Sequence, residues 1–231
     1  MGVDLKRWLM NSWAKNITII ISSESHPIND WIKRWVEDRN DAKVDIIRNP
    51  DEASGGDLCF LISCTDIVSL EVRQKFKKTL VIHASDLPAG RGWSPHIWEI
   101  VNGGDEIVVC LLEASAKVDQ GAIWKKIRYK INKHLLYSDV IKIVNNAHID
   151  LLNYAVENFD TIIPEIQNPK VQPTYFNKRI PADSEISPFK TIEEQFNTLR
   201  MSDYKRFPAF FELHGKRYKI LIEHYDEKND H

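Results

Sequence analysis

Cysteine is scarce in this chain. Only Cys59, Cys64 and Cys110 occur in 231 residues, each in an apolar, strand-like run and without paired spacing. That argues against a disulfide framework or a thiolate zinc site and predicts buried, reduced thiols. An excess of one charge is missing too. The formal net charge is −2, so no basic field advertises nucleic-acid binding. No apolar run approaches the length of a bilayer span. The opening residues Met1 to Trp13 lack the apolar segment and small-residue cleavage site of a secretory signal. Lys6 stands where a myristoylation signal requires Ser or Thr. The eight histidines are scattered without metal-ligand spacing, so no metal is expected. No internal repeat or low-complexity tract is visible. The expectation is a cytoplasmic protein with no membrane and no nucleic-acid partner.

What is present is enough apolar material for a core: 43% of residues are hydrophobic and 28% charged. Residues 4–15 suit a short amphipathic helix. Ile17 to Ser22 is a continuous apolar run of the kind buried in parallel sheets. Trp31, Ile32, Trp35 and Val36 then recur at helical spacing. Further strands are expected at residues 44–47, 58–63, 80–83 and 107–112. Helices are expected near residues 70–77 and 95–102, and a long helix, or two, over 134–159. The alternation predicts an α/β fold: an open, mostly parallel Rossmann-like sheet with helices on both faces. The character changes at Pro164, after which Pro169, Pro173, Pro181 and Pro188 interrupt regular structure. A helix over 192–202 and a closing hairpin, 209–213 and 218–222 around His214-Gly215-Lys216, finish the chain. The reading divides it into a main domain, 1–163, and a small C-terminal extension, 164–231.

Two stretches carry candidate chemistry. In Val81-Ile82-His83-Ala84-Ser85-Asp86-Leu87-Pro88-Ala89-Gly90-Arg91-Gly92, a strand ends at a histidine and enters a tight loop. Ligands of open α/β sheets bind outside the carboxyl ends of strands, where His83 would sit. In Glu113 to Ile123, a loop after a strand carries Asp119 before Gln120-Gly121. A His and an Asp at neighbouring strand ends can form a charge-assisted pair suited to acid–base work. By pattern alone, however, a His at a strand end is more often a satisfied structural residue, and Asp-Gln-Gly more often a turn.

The particular residues say more. His83-Ala84-Ser85-Asp86-Leu87-Pro88, followed by Arg91-Gly92, closely resembles the His-x-Ser-x-Leu-Pro-x-x-Arg-Gly signature of the 10-formyltetrahydrofolate-dependent formyltransferases. Val118 to Ile123 resembles that family's second signature, an Asp before x-Gly. Lys178 to Ile186 resembles a Lys/Arg-Arg-x-Pro-x-Asp-x-x-Ile pattern that follows its catalytic domain. The resemblance implies transfer of a formyl group from 10-formyltetrahydrofolate to an unprotonated amine. It implies that His83 stabilises the charge developing on the formyl oxygen, and that Asp119 orients His83 and accepts the amine's proton. It places the pterin between Ser63, Cys64 and Ile67 on one side and Ala114, Lys117 and Val118 on the other. For Cys64 a buried, small apolar role competes.

One residue departs from the pattern. The family carries an Asn two places before the His, and here that place is Val81. Losing such an oxyanion donor costs on the order of a hundredfold or more in rate. Two alternatives therefore stand beside the transferase: a folate- or nucleotide-binding protein with weakened turnover, and a hydrolase of 10-formyltetrahydrofolate.

Among amines, the layout is most similar to the sugar N-formyltransferases, which modify nucleotide-linked deoxysugars for surface polysaccharide. A tRNA-acting member usually carries a further C-terminal barrel and a basic surface, and a glycinamide ribonucleotide enzyme a Gly-rich loop where this chain has Ser22-Ser23-Glu24-Ser25-His26-Pro27. On the sugar reading Ser85, Arg91 and Trp93 contact substrate, with Arg91 meeting a phosphate and Trp93 and Trp98 stacking on sugar or base. Packing competes as the role of Trp98, and loop fixation as the role of Arg91. The hairpin aromatics Phe207, Phe210, Phe211 and Tyr218 offer a candidate homodimer surface.

Overall fold

Alternating faces of short apolar strands build the sheet. The computed structural model describes residues 15–225, so the helix expected over residues 4–15 lies outside them except for Lys15, which opens β1 (Lys15–Ile20). Strands β2 (Ala42–Ile47), β3 (Gly56–Leu61) and β4 (Phe76–His83) join β1 in parallel, in the order β2-β1-β3-β4. After the two-residue β5 (Arg91–Gly92), β6 (Glu106–Glu113) pairs antiparallel with β4, with His83 opposite Cys110. β7 (Ile123–Lys130) closes that edge, again antiparallel. The mostly parallel α/β sheet is thus as expected, with an antiparallel margin. The sequence reading assigns no strand to β7. Its outward residues are Lys and Arg, which protect an edge: Lys126 and Arg128 pair with Asp86, and Lys130 with Asp105.

Helices cover both faces. Helices Ile28–Glu37 and Tyr137–Asn158 seal one face, where Ile28, Ile32, Trp35, Val144, Leu151 and Leu152 meet Ile17, Ile19, Phe60, Leu80 and Ile82. The opposite strand residues Ile20, Cys59 and Leu61 pack with Val72 and Phe76 beyond the short helix Leu70–Gln74. Each fully buried Leu, Ile or Phe contributes roughly 1.5–3 kcal/mol. The Ser69 hydroxyl caps that short helix by accepting from Val72 N. β4 starts at Phe76, earlier than expected. Lys77 and Lys78 hid it, and their charges are met by Asp57 and Glu113 of neighbouring strands. The three thiols are free, and burial pushes Cys59 up to about 12 and Cys110 up to about 11.

Beyond helix Tyr137–Asn158 the chain runs back across the molecule, and β8 (Tyr175–Phe176) pairs with β5. Helix Ile192–Arg200 starts at a Thr191–Glu194 capping box. Met201 joins the main core, and Arg200 Nη1 donates to the Leu135 carbonyl at 3.1 Å. β9 (Ala209–Leu213) and β10 (Lys216–Ile220) turn at His214-Gly215, both with positive φ (53° and 70°). That is a two-residue hairpin loop, so β10 begins two residues before the expected strand. Among the described residues no helix is long and apolar enough to cross a membrane.

Candidate active site

β4 delivers His83 to the end of the sheet, where the ring is buried. Its Nε2 lies 2.9 Å from the Gly90 carbonyl oxygen. A carbonyl only accepts, so Nε2 carries a proton. Nδ1 faces Asp119, 3.5 Å from Oδ1. The other carboxylate oxygen, Oδ2, accepts the backbone N–H of Gly92 at 3.0 Å. His83, Gly92 and Asp119 are thus brought together from both signature stretches, with Gly92 hydrogen-bonded to Asp119 and His83 Nδ1 facing the carboxylate.

Asp119 does not come from a neighbouring strand end as expected. β6 runs antiparallel to β4, so its last residue, Glu113, lies beside Leu80. The following loop starts with Ala114 N donating to the Thr79 carbonyl at 2.8 Å and must return along β4 to reach His83. That return needs glycine at 121, where a Cβ would sit 1.7 Å from the Glu113 carbonyl oxygen. Gly92 is constrained likewise: its φ is +95° and a Cβ would lie 2.4 Å from Phe176 O.

The extension braces both loops. Gln167 Nε2 donates to the carbonyls of Asp119 (2.7 Å) and Gly121 (3.0 Å). Arg91 Nη2 donates to Gln167 Oε1 at 2.9 Å and Nη1 to the Tyr175 hydroxyl at 3.1 Å. Thr174 Oγ1 accepts Gly90 N at 2.8 Å. Gln167 and Thr174 carried no sequence signal, lying in the stretch that prolines mark only as irregular. Arg91 and Ser85, expected on the substrate, are corrected here. Both are buried behind the wall and line no part of the cavity. Arg91 is held by Gln167 and Tyr175, and the Ser85 side chain is sealed beside Gly90. Trp98 stacks on Phe176 and donates Nε1 to the Asn177 carbonyl, so it packs.

His83 and Asp119 open onto a cavity of about 800 Å³. Ser63, Cys64, Ile67, Ala114, Lys117 and Val118, the six residues expected around a pterin, all line it. Ile67 and Val118 are exposed there although apolar, at 82% and 61%. Val81 lies on the same wall, packed with the cluster that includes Cys64 and Ala114, and offers no donor. A more polar part of the lining brings His26, Trp93, His96, Asn145, His148, Lys178, Arg179 and Arg206. Of these, sequence reasoning gave only Trp93 a ligand contact, though Lys178 and Arg179 belong to the tail signature. The Lys178 ammonium sits 4.8 Å over the Trp93 ring.

This polar part holds uncharged imidazoles beside cations. Burial, then the Arg206 charge, pulls His26 down to about 4. Burial, then the neighbouring imidazoles of His148, His83 and His26, which disfavour a further positive charge, pulls His96 down to about 3. Burial also lowers His148, whose Nδ1 donates to the Val144 carbonyl at 2.7 Å. Arg206 is paired with Asp203 and donates to the Tyr137 hydroxyl. Arg179 is buried, its Nη2 on Ser184 Oγ at 2.9 Å and its Nε sealed without a partner.

No protein-family model matches the chain. Among curated proteins, it is 30% identical over 142 residues to a methionyl-tRNA formyltransferase of Sulfurovum sp., covering 61% of this chain and 45% of that protein. It is 27% identical over 195 residues to the Rickettsia typhi enzyme of the same name, covering 84% and 62%. The chain thus spans between about half and three fifths of the length of these relatives. Among solved structures, a methionyl-tRNA formyltransferase from Clostridium thermocellum superposes with a TM-score of 0.74 at 21% identity, covering 91% of this chain and 93% of that one. A 4-N formyltransferase from Francisella tularensis gives 0.72 at 19% identity, covering 92% and 98%. HypX from Aquifex aeolicus, in complex with tetrahydrofolic acid, gives 0.73 at 21% identity, covering 90% and 37%. At these identities the structural likeness is one of fold.

Proposed function

We propose that the chain is a formyltransferase like the relatives it resembles, a cytoplasmic enzyme moving a formyl group from 10-formyltetrahydrofolate to an amine, that of a nucleotide-linked deoxysugar. The observation that carries this reading is the convergence of His83, Gly92 and Asp119 on the wall of one cavity, with Gly92 holding the carboxylate and His83 facing it. 10-Formyltetrahydrofolate, when bound, supplies the formyl carbon. The residues present fit it: the cavity has the volume of a drug-sized ligand site, and exposed Ile67 and Val118 offer apolar surface to a flat ring.

The chain's own groups then divide the work. The attacking amine must shed a proton, and Asp119 Oδ1 is the nearby acceptor, one carboxylate oxygen being engaged by Gly92. Asp119 also fixes the His83 ring, which the Gly90 carbonyl holds from the other side. Expelling water from the buried pair strengthens both interactions. Lys178 and Arg179 place positive charge on the polar part of the lining, which suits a phosphate-bearing amine better than a neutral one.

The names of the curated relatives favour a second reading, with the α-amine of methionyl-tRNA as acceptor. The test is release of tetrahydrofolate from 10-formyltetrahydrofolate with and without candidate amines, methionyl-tRNA among them. Release that needs a nucleotide-linked amino sugar supports the main reading, and release that needs methionyl-tRNA the second. Amine-independent release indicates a hydrolase, and binding without release an inactive binder. His83→Ala should lower turnover by roughly 10²–10⁴-fold; wild-type turnover in that variant would remove His83 from the mechanism.

A further inference from the structure

The end of β4 lacks a side-chain donor for a ligand oxygen. Val81 shares the face of β4 with His83 and carries no hydrogen-bonding group. The Gly90 carbonyl takes the Nε2–H of His83 at 2.9 Å. Its other nitrogen is turned to Asp119. A transferase built on this unit needs a donor from elsewhere.

His96 supplies the right chemistry. It lines the same cavity as His83 and lies four residues past Gly92, whose amide Asp119 holds. Its Nδ1 is sealed from solvent and has no hydrogen-bond partner. Among the described residues Nε2 makes no hydrogen bond either, but it is not sealed, so it faces the cavity. A sealed N–H without an acceptor is rarer and costlier than a sealed lone pair. The ring proton therefore belongs on Nε2, as an N–H directed into the cavity. Burial and the neighbouring imidazoles keep the ring uncharged at neutral pH. His148 cannot serve in its place: its N–H is given to the Val144 carbonyl, leaving Nε2 an acceptor. Asn145 also lines the cavity but stands on helix Tyr137–Asn158, without the tether to the Asp119 loop.

Resting on the formyltransferase reading, we propose that His96 has taken over the task of the missing amide: its Nε2–H donates to the formyl oxygen as negative charge develops there. His96 gives up no proton in this role. It acts as a fixed dipole, and proton movement stays with Asp119 and His83.

The experiment compares wild type, His96→Leu, His96→Gln, Val81→Asn, Val81→Asn/His96→Leu and Asn145→Ala. Readouts are kcat for amine-dependent tetrahydrofolate release, Kd for 10-formyltetrahydrofolate, thermal melting, and ¹⁵N NMR of the wild-type histidines without ligand. His96→Leu should lower kcat about a hundredfold with Kd changed by less than about threefold. His96→Gln, which keeps an N–H, should lose about tenfold or less. Val81→Asn should add little to wild type yet recover about tenfold or more in the His96→Leu background. NMR should show His96 as the neutral Nε2–H tautomer at pH 7. Unchanged kcat in His96→Leu, an Nδ1–H tautomer, absence of rescue by Val81→Asn, or a loss confined to Asn145→Ala would each overturn the proposal. If His96→Leu fails to fold, the glutamine variant and the tautomer decide. No turnover by wild type with any amine removes the transferase reading and this one with it; turnover that ignores His96 removes this one alone.

Discussion

The backbone N–H of Gly92 donates to Oδ2 of Asp119 at 3.0 Å, and so joins the loop after β4 to the loop after β6. Both partners lie at positive φ, +95° for Gly92 and +56° for Asp119. An L-residue in the left-handed region costs of order 1 kcal/mol or more unless its surroundings fix it. Here Gly92 holds the carboxylate and Gln167 holds the Asp119 carbonyl. The acid is therefore positioned by backbone and by a brace from the extension, independently of His83.

Asp119→Asn separates these roles. Asparagine tolerates the left-handed region and retains a carbonyl oxygen for Gly92, so the melting temperature should stay within a few degrees of wild type. Its amide cannot accept the amine's proton, so kcat should fall on the order of a hundredfold or more, with a mild change in cofactor Kd. Steady-state kinetics and a binding titration check this; an effect confined to KM would contradict the proton-handling role.

Arg91 and Gln167 should behave as positioning residues. Arg91→Lys cannot reproduce two donations in a fixed fork to Gln167 and Tyr175. Gln167→Ala leaves the carbonyls of Asp119 and Gly121 without that donor. Each variant should lose about 1–3 kcal/mol of stability by denaturant titration. Both should lower kcat, leaving the amine KM within about threefold. A KM effect specific to phosphate-bearing amines in Arg91→Lys would restore it to the substrate.

The sheet was legible because the later residues of β1, β3 and β4 are largely buried and so read as apolar runs. β7 was not, because an edge strand with Lys125, Lys126, Arg128 and Lys130 lacks that run. His83, Asp119 and the six expected pterin residues were legible only through the resemblance of their motifs. Gln167, Thr174, His96 and His148 were not, since their roles depend on long-range placement. Thr174 meets Gly90 from 84 positions away. Arg91 went the other way: its charge suggested a phosphate, while β8 and Gln167 enclose it.

The hairpin aromatics divide between two fates. Phe207 lines the cavity, and Phe211 packs on the small core of the extension and stacks with Tyr218 at 5.3 Å. On the extension Tyr218, Leu221, Phe189 and Ile192 remain exposed although apolar. We propose this surface as a homodimer contact. Sedimentation velocity at micromolar concentration should show a dimer, and Phe189→Glu should shift it to monomer. Only monomer in the wild-type sample would end the idea.

Stability should fall on mild acidification. Burial lowers His26 to about 4 and His96 to about 3, and lowers His148 as well, whereas an unfolded imidazole titrates near 6.5. Between those limits the unfolded chain binds more protons than the folded one, so unfolding is favoured as pH drops. The stability tied to these neutral rings is fully present above about pH 6.5 and is lost progressively below it. Each imidazole contributes at most on the order of 1 kcal/mol per pH unit. Between pH 6.5 and 4.5 carboxylates held low, Asp86 and Asp203 among them, remain ionised, and Glu99, raised by burial, is a single group set against three histidines. Urea titrations across that window should give a free energy of unfolding that declines with falling pH, and a shallower decline in His96→Gln. A flat profile in wild type would show that these imidazoles are not kept neutral by the fold.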